Sequence, residues 1–291
     1  MTEFSRPLDG FRLAYDIIGA GPDVVLLHGW PGTRRDYRRV VPLLSGPARL
    51  IVPDLRGFGE SDKHPGPPMK LYSVAAQVHV ILDLLDELGV DQAHFAGYDV
   101  GSRVLQALVR MAPGRVAGLV MTPPQPGAGE RLLAPSAQRE FWYQALHRLD
   151  LADALLDGNA AAIGSYLGYF WEHWSGPEFH LPPDDVTRLV ESYSPAGAFV
   201  ASIAWYRSRP GPIASATELP PADDERIKAP TEILWPTNDP LFPVEWSDRL
   251  DEWFADVRLT VVPNTGHFVP VEAPQAFADA IVRLLEAPRR M

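Results

Sequence analysis

The run Gly97-Tyr98-Asp99-Val100-Gly101 sets a carboxylate midway between two glycines. Gly-x-nucleophile-x-Gly is the spacing of a sharp strand-to-helix turn, here with aspartate in the place more often held by serine. The apolar-rich run Ala93-His94-Phe95-Ala96 precedes it, and Val100, Val104, Leu105, Leu108, Val109 and Met111 recur at helical spacing after it. A tight turn that thrusts one side chain outward leaves no room for a Cβ on either flank, which explains the glycines. The residue type then narrows the chemistry. A carboxylate attacking an ester carbonyl would form a reactive anhydride, whereas attack on a saturated carbon forms an ordinary alkyl ester. Asp99 therefore points to the opening of a polarised carbon–oxygen or carbon–halogen bond.

Three further segments follow strand-like runs, the places where open α/β sheets hold their ligands. His28-Gly29-Trp30-Pro31-Gly32 can turn the backbone N–H of Trp30 toward Asp99. A second N–H, from Val100 directly after the nucleophile, would complete an oxyanion hole. Trp235-Pro236-Thr237-Asn238-Asp239-Pro240 offers Asp239 as the acid that orients a base. Asn264-Thr265-Gly266-His267-Phe268 offers His267 as that base. His28, at the end of its strand, reads as a structural hydrogen-bonding residue.

The elements needed to position these groups are legible. Strand-like and helix-like segments alternate, which argues for a mostly parallel sheet flanked by helices. Strands are expected at 24–28, 49–53, 116–121, 231–235 and 257–262. An amphipathic helix is expected over 73–88, from the three- and four-residue steps of Val74, Val78, Ile81, Leu82, Leu85 and Leu88. A last helix uses Phe277, Ile281, Leu284 and Leu285. From Pro123-Pro124-Gln125-Pro126-Gly127 to about residue 226 the chain is aromatic-rich and helix-like, with no convincing strand. This reads as a helical cap, 124–226, inserted into a core of 1–123 and 227–291.

Composition bounds the partners. The chain has 291 residues and a net charge of −11, which favours solubility and disfavours nucleic acid or an anionic membrane. It has no cysteine, so disulfides, thiolate metal sites and a catalytic thiol are excluded. No signal-like or long apolar segment is present, and a cytoplasmic enzyme is expected. A homodimer is compatible with the chain, but the oligomeric state is not written in it. His173 and His180 lie seven residues apart across Ser175-Gly176-Pro177, which fits no familiar metal-ligand pattern.

Nucleophile, acid and histidine in this chain order resemble the α/β-hydrolase superfamily over nearly the full length, and Asp54-Leu55-Arg56-Gly57-Phe58-Gly59-Glu60-Ser61-Asp62 resembles a loop common there. Phe141-Trp142-Tyr143-Gln144 and Trp205-Tyr206-Arg207 resemble the two tyrosine-bearing cap segments of the soluble epoxide hydrolase family. His28-Gly29-Trp30-Pro31 is similar to that family's oxyanion-hole motif. The resemblance implies an α/β-hydrolase fold, Tyr143 and Tyr206 as paired acids, water as co-substrate and no metal or organic cofactor. Ring opening suits phenols on its own terms: a phenol stays protonated at neutral pH and can yield a proton to an oxygen gaining charge. Trp142, Trp205, Phe268 and Pro31, neighbours of these groups, are expected to line a pocket for an apolar or aromatic epoxide.

Two other readings use the same residues. Dehalogenases resemble this chain in their Asp/His/Asp machinery. The haloalkane branch carries tryptophan after the nucleophile, where this chain has Val100. The haloacid branch has arginines one and four positions after it, and only Arg103 matches. A non-catalytic binding protein on this fold would need no water-activating base.

Overall fold

Short runs of valine, leucine and isoleucine become the strands of the sheet, because a strand covered on both faces must be apolar at every position. The computed structural model describes residues 2–208 and 216–287. Its strands are β1 (Glu3–Phe4), β2 (Ala14–Gly19), β3 (Asp23–Leu27), β4 (Arg49–Pro53), β5 (Ala93–Gly97), β6 (Val116–Met121), β7 (Thr231–Pro236) and β8 (Val257–Val262). They form one eight-stranded sheet in the order β1-β2-β4-β3-β5-β6-β7-β8. β1 and β2 run antiparallel to their neighbours, and β4 to β8 pair in parallel. This is the α/β-hydrolase fold expected from the sequence.

The antiparallel edge, β1 and β2, was not expected. Asp16 interrupts the apolar alternation of β2, and its carboxylate meets the Arg34 guanidinium, Nε to Oδ2 3.1 Å. A half-solvated edge strand carrying a paired charge does not show the apolar run that marks the central strands.

Helix α1 (Val74–Glu87) starts one residue later than expected because Ser73 caps it, its hydroxyl accepting from the Ala76 N–H at 3.2 Å. Helix α2 (Val100–Met111) follows β5 directly. Between β6 and β7 the described residues contain no strand. The main helices there are α3 (Trp142–Leu146), α4 (Ala160–His173), α5 (Pro183–Tyr193) and α6 (Ala198–Arg207). Helix α7 (Pro274–Glu286) buries Phe277, Ile281 and Leu284 against the sheet. Each such side chain contributes about 1.5–3 kcal/mol of burial free energy.

Register brings the functional loops together. Leu27 lies opposite Gly97, and Gly97 opposite Met121, so β3, β5 and β6 end level with one another. Pro236 pairs with Val262, which levels β7 and β8 as well. The inserted helices are fastened over this edge. The Trp171 indole N–H donates to the Pro31 carbonyl (3.0 Å), the Tyr193 hydroxyl donates to the Gly32 carbonyl (2.9 Å), and Arg38 pairs with Asp185. Residues 1, 209–215 and 288–291, at the ends of the core ranges and within 124–226, lie outside the described residues. Among the described residues no helix is long and apolar enough to cross a membrane.

Candidate active site

Asp99 is the cap residue of α2 and holds φ 49°, ψ −115°, a conformation that non-glycine residues seldom adopt. Such a backbone costs about 1–3 kcal/mol and persists only where its surroundings enforce it. They do so here: a Cβ on Gly101 would collide with the Leu27 carbonyl, and one on Gly29 would strike the Asp99 side chain. Asp99 Oδ1 accepts the Trp30 N–H at 2.7 Å. Val100 N–H belongs to the first turn of α2, where no carbonyl within the helix can receive it. Of the two expected oxyanion donors, Trp30 N–H is thus seen on the Asp99 carboxylate, and Val100 N–H is free of any partner within its helix.

His267 Nε2 lies 3.3 Å from Asp99 Oδ2, and its Nδ1 lies 2.8 Å from Asp239 Oδ2. Asp239 is fixed in turn, its other oxygen accepting the Leu241 N–H at 2.8 Å. Burial alone would lower the His267 pKa. The charge and hydrogen bond of Asp239, with those of Asp99, outweigh it and raise the value to about 10. In the resting site the imidazole is therefore protonated between two carboxylates.

The roof over Asp99 is aromatic. Tyr143 stacks on Trp30 with ring centroids 5.7 Å apart and planes parallel. Tyr206 meets Trp30 edge to face at 5.9 Å and Tyr143 at 5.6 Å. Both phenols are buried. Burial pushes the pKa of each upward, and the Asp99 charge adds to the effect. Phe268 stacks on Trp171 at 3.8 Å and touches the His267 ring. Pro31 receives the Trp171 indole through its carbonyl, and Trp205 is buried in α6 beside Tyr206. Trp142 departs from the expectation. It is 41% exposed and packs on Tyr166, Tyr169 and Phe170, on the far side of the aromatic layer from Trp30. Adjacent positions on α3 face about 100° apart, so Tyr143 and Trp142 cannot both point inward.

Several residues that support this arrangement were not singled out from the sequence. Glu272 accepts three backbone N–H groups, from Gly176 (2.7 Å), Gly266 (2.8 Å) and Phe268 (2.9 Å), tying the His267 loop to the inserted segment. The His267 N–H itself donates to the Trp174 carbonyl at 2.7 Å. Below the Trp30 loop, the Tyr98 hydroxyl bonds to buried Asp36, whose second partner is the Thr33 N–H at 3.1 Å. Burial raises the Asp36 pKa to about 7 against these bonds. His147, one helical turn after Tyr143, is fully buried against Trp30 and Tyr206. None of these residues had a local signal in the sequence.

Two motifs serve the scaffold. His28 accepts the Leu55 N–H at Nε2 (3.0 Å) and lies 2.9 Å from the Gly29 carbonyl through Nδ1, and burial keeps it neutral. Asp54 receives the Arg34 N–H (2.8 Å), the Arg34 guanidinium and the Glu60 N–H (2.9 Å). The Asp54–Asp62 loop is thus a brace.

Residues 22–274 match the sequence profile described as the alpha/beta hydrolase fold, and the chain belongs to that family. Within it, the chain is 28% identical to the soluble epoxide hydrolase of Corynebacterium sp. (strain C12), over 100% of this chain and 99% of that protein. It is 26% identical to haloalkane dehalogenase 2 of Mycobacterium tuberculosis, over 93% of this chain and 90% of that one. A solved structure described among novel epoxide hydrolases from metagenomes of hot environments superposes with a TM-score of 0.85. Its identity is 25%, over 99% of both chains.

Proposed function

We propose that this α/β-fold hydrolase opens epoxides to vicinal diols through an alkyl ester on Asp99. Asp99 attacks one oxirane carbon from the side opposite the carbon–oxygen bond that breaks. Tyr143 and Tyr206 hydrogen-bond the oxygen, and one of them delivers its proton as the ring opens. Alkylation converts the Asp99 charge into a neutral ester. Asp239 still holds the imidazole, but one of the two carboxylate charges that kept its proton is now neutral. That proton passes to the phenolate left by ring opening, so that His267 becomes neutral and the phenol is restored. Neutral His267, oriented by Asp239, takes a proton from water, which adds to the ester carbonyl carbon. The N–H groups of Trp30 and Val100 hold the resulting oxyanion. Collapse of the tetrahedral intermediate expels the diol oxygen, which takes the remaining proton of the added water. The carboxylate is thereby restored, and the proton left on His267 returns the site to its starting state. Residues 124–226 act as the lid that carries both phenols.

The observation that carries this reading is the pair of buried phenols, edge to face with one another and both packed on Trp30, whose peptide N–H holds the Asp99 carboxylate. A carbon–halogen bond needs no proton on its leaving group, whereas an alkoxide does. Tyr143→Phe or Tyr206→Phe alone should lower kcat/KM for an aromatic epoxide by about 10²-fold, since one phenol remains to hold the oxygen. The double variant should lose at least another factor of about 10. Steady-state diol formation measures both, and full activity in both single variants would overturn the acid assignment.

Dehalogenation is the second reading, favoured by the similarity to haloalkane dehalogenase 2. Against it, Val100 has no N–H on its side chain to hold a halide. Arg103 reaches along α2 to Gln106 Oε1 at 3.3 Å. Halide release from a panel of haloalkanes and haloacids, set beside diol release from epoxides, separates the two.

A further inference from the structure

Two buried nitrogen atoms in the aromatic roof have no hydrogen-bond partner among the described residues: Trp30 Nε1 and His147 Nδ1. Both side chains are wholly shielded from solvent. Leaving such a group unpaired in the interior costs about 1–3 kcal/mol, and native structures rarely keep one without a use. Here the two sit on touching rings, with centroids 4.8 Å apart and planes at 73°. The same two rings contact Tyr143, at 5.7 and 5.4 Å, and Tyr206, at 5.9 and 4.7 Å. The two rings that carry the unpaired nitrogens therefore both pack against the phenols assigned to the oxirane oxygen.

The polarity of the pair follows from its neighbours. His147 Nε2 lies 2.9 Å from the Tyr166 hydroxyl. A phenol donates well and accepts poorly, so its O–H points at Nε2 and the ring proton resides on Nδ1. Burial and then the Arg207 charge hold the imidazole well below its ordinary pKa, so it carries that one proton only. Trp30 Nε1 is a donor in any state. Arg207 is engaged with Asp153 and with the carbonyls of His147 and Leu149. What remains is two neutral N–H donors in apolar surroundings, which suit a neutral acceptor better than a carboxylate.

We propose that Trp30 Nε1 and His147 Nδ1 form a subsite for a second substrate oxygen, so that the preferred epoxide carries an ether or carbonyl oxygen one or two carbons from its oxirane. The assignment rests on the epoxide-opening reading and narrows its substrate class.

The test compares phenyl glycidyl ether with 4-phenyl-1,2-epoxybutane, which differ only by a methylene in place of the ether oxygen. In the wild-type protein kcat/KM should favour the ether by about 10-fold, the worth of roughly one hydrogen bond. His147→Leu should bring that ratio down by about the same factor, and His147→Gln, which restores an N–H, should recover part of it. A general loss of packing would lower both rates together and leave their ratio unchanged; an unchanged ratio in His147→Leu overturns the subsite alone. Diol from neither compound overturns the epoxide reading and the subsite with it. Should His147→Leu fail to fold, competitive inhibition of the wild type by propyl phenyl ether and by butylbenzene decides. About 10-fold tighter inhibition by the ether supports the subsite, and equal inhibition overturns it. Halide release from 1-bromo-4-phenylbutane at a rate matching diol formation would assign the two donors to a leaving halide instead.

Discussion

Asp99→Asn should abolish diol formation, with kcat reduced at least ~10⁴-fold, the scale seen when a covalent nucleophile is removed. The carboxamide is neutral and a poor nucleophile toward saturated carbon. It retains an oxygen at the position of Oδ1, where the Trp30 N–H donates at 2.7 Å, so the elbow keeps its main tether. Thermal stability should then stay close to wild type, which separates loss of chemistry from loss of fold. A companion measurement on the wild type addresses the path itself. After many turnovers in water enriched in heavy oxygen, mass spectrometry should find label in the peptide containing Asp99, because water adds to the ester carbonyl. Label in the diol alone, with none in that peptide, would mean that water attacks the epoxide directly and would sink the covalent proposal.

His267→Gln should separate the two halves of the reaction. The imidazole is 3.3 Å from Asp99, and in the proposed reaction it takes no part in forming the ester but activates the water that removes it. Steady turnover should fall by ~10³-fold or more, and the intact protein should gain the mass of one substrate molecule. Absence of any adduct with an epoxide that the wild type consumes would count against both the ester and the role of His267.

The same variant carries a stability signature. The folded-state pKa of His267, about 10, lies above its ordinary value of 6.5. A raised histidine stabilises the fold fully below the unfolded value, and that stabilisation is lost as pH rises through the folded value. Wild-type Tm should therefore decline between about pH 7 and pH 10, and the His267→Gln protein should show a shallower decline. Parallel melting curves for the two proteins would remove His267 from that role.

The parts legible from sequence share a physical cause. Largely apolar runs mark β3, β5, β7 and β8, and the loops after them carry Trp30, Asp99, Asp239 and His267 in that order. β2 escaped notice because its partly solvated face holds Asp16. Trp142 was placed inward because adjacent aromatics on a short helix give no sign of which one turns to the core. Glu272, the Asp36–Tyr98 pair and His147 were missed for a different reason. Each works through partners tens of residues away: Glu272 bonds Gly176 across 96 positions, and Tyr98 reaches Asp36 across 62. No local spacing encodes such contacts; only the closed fold does.

The peptide N–H of His267 hangs from the Trp174 carbonyl at 2.7 Å, and Glu272 grips the loops on both sides of that link. Base and roof are therefore mounted on one bracket. A substrate bulky enough to displace Trp174 would, through that link, also displace the His267 imidazole from Asp99. Oversized compounds would then react once with the carboxylate and stall there, so the tolerance for bulk would be set by the speed of release and not by the ease of entry.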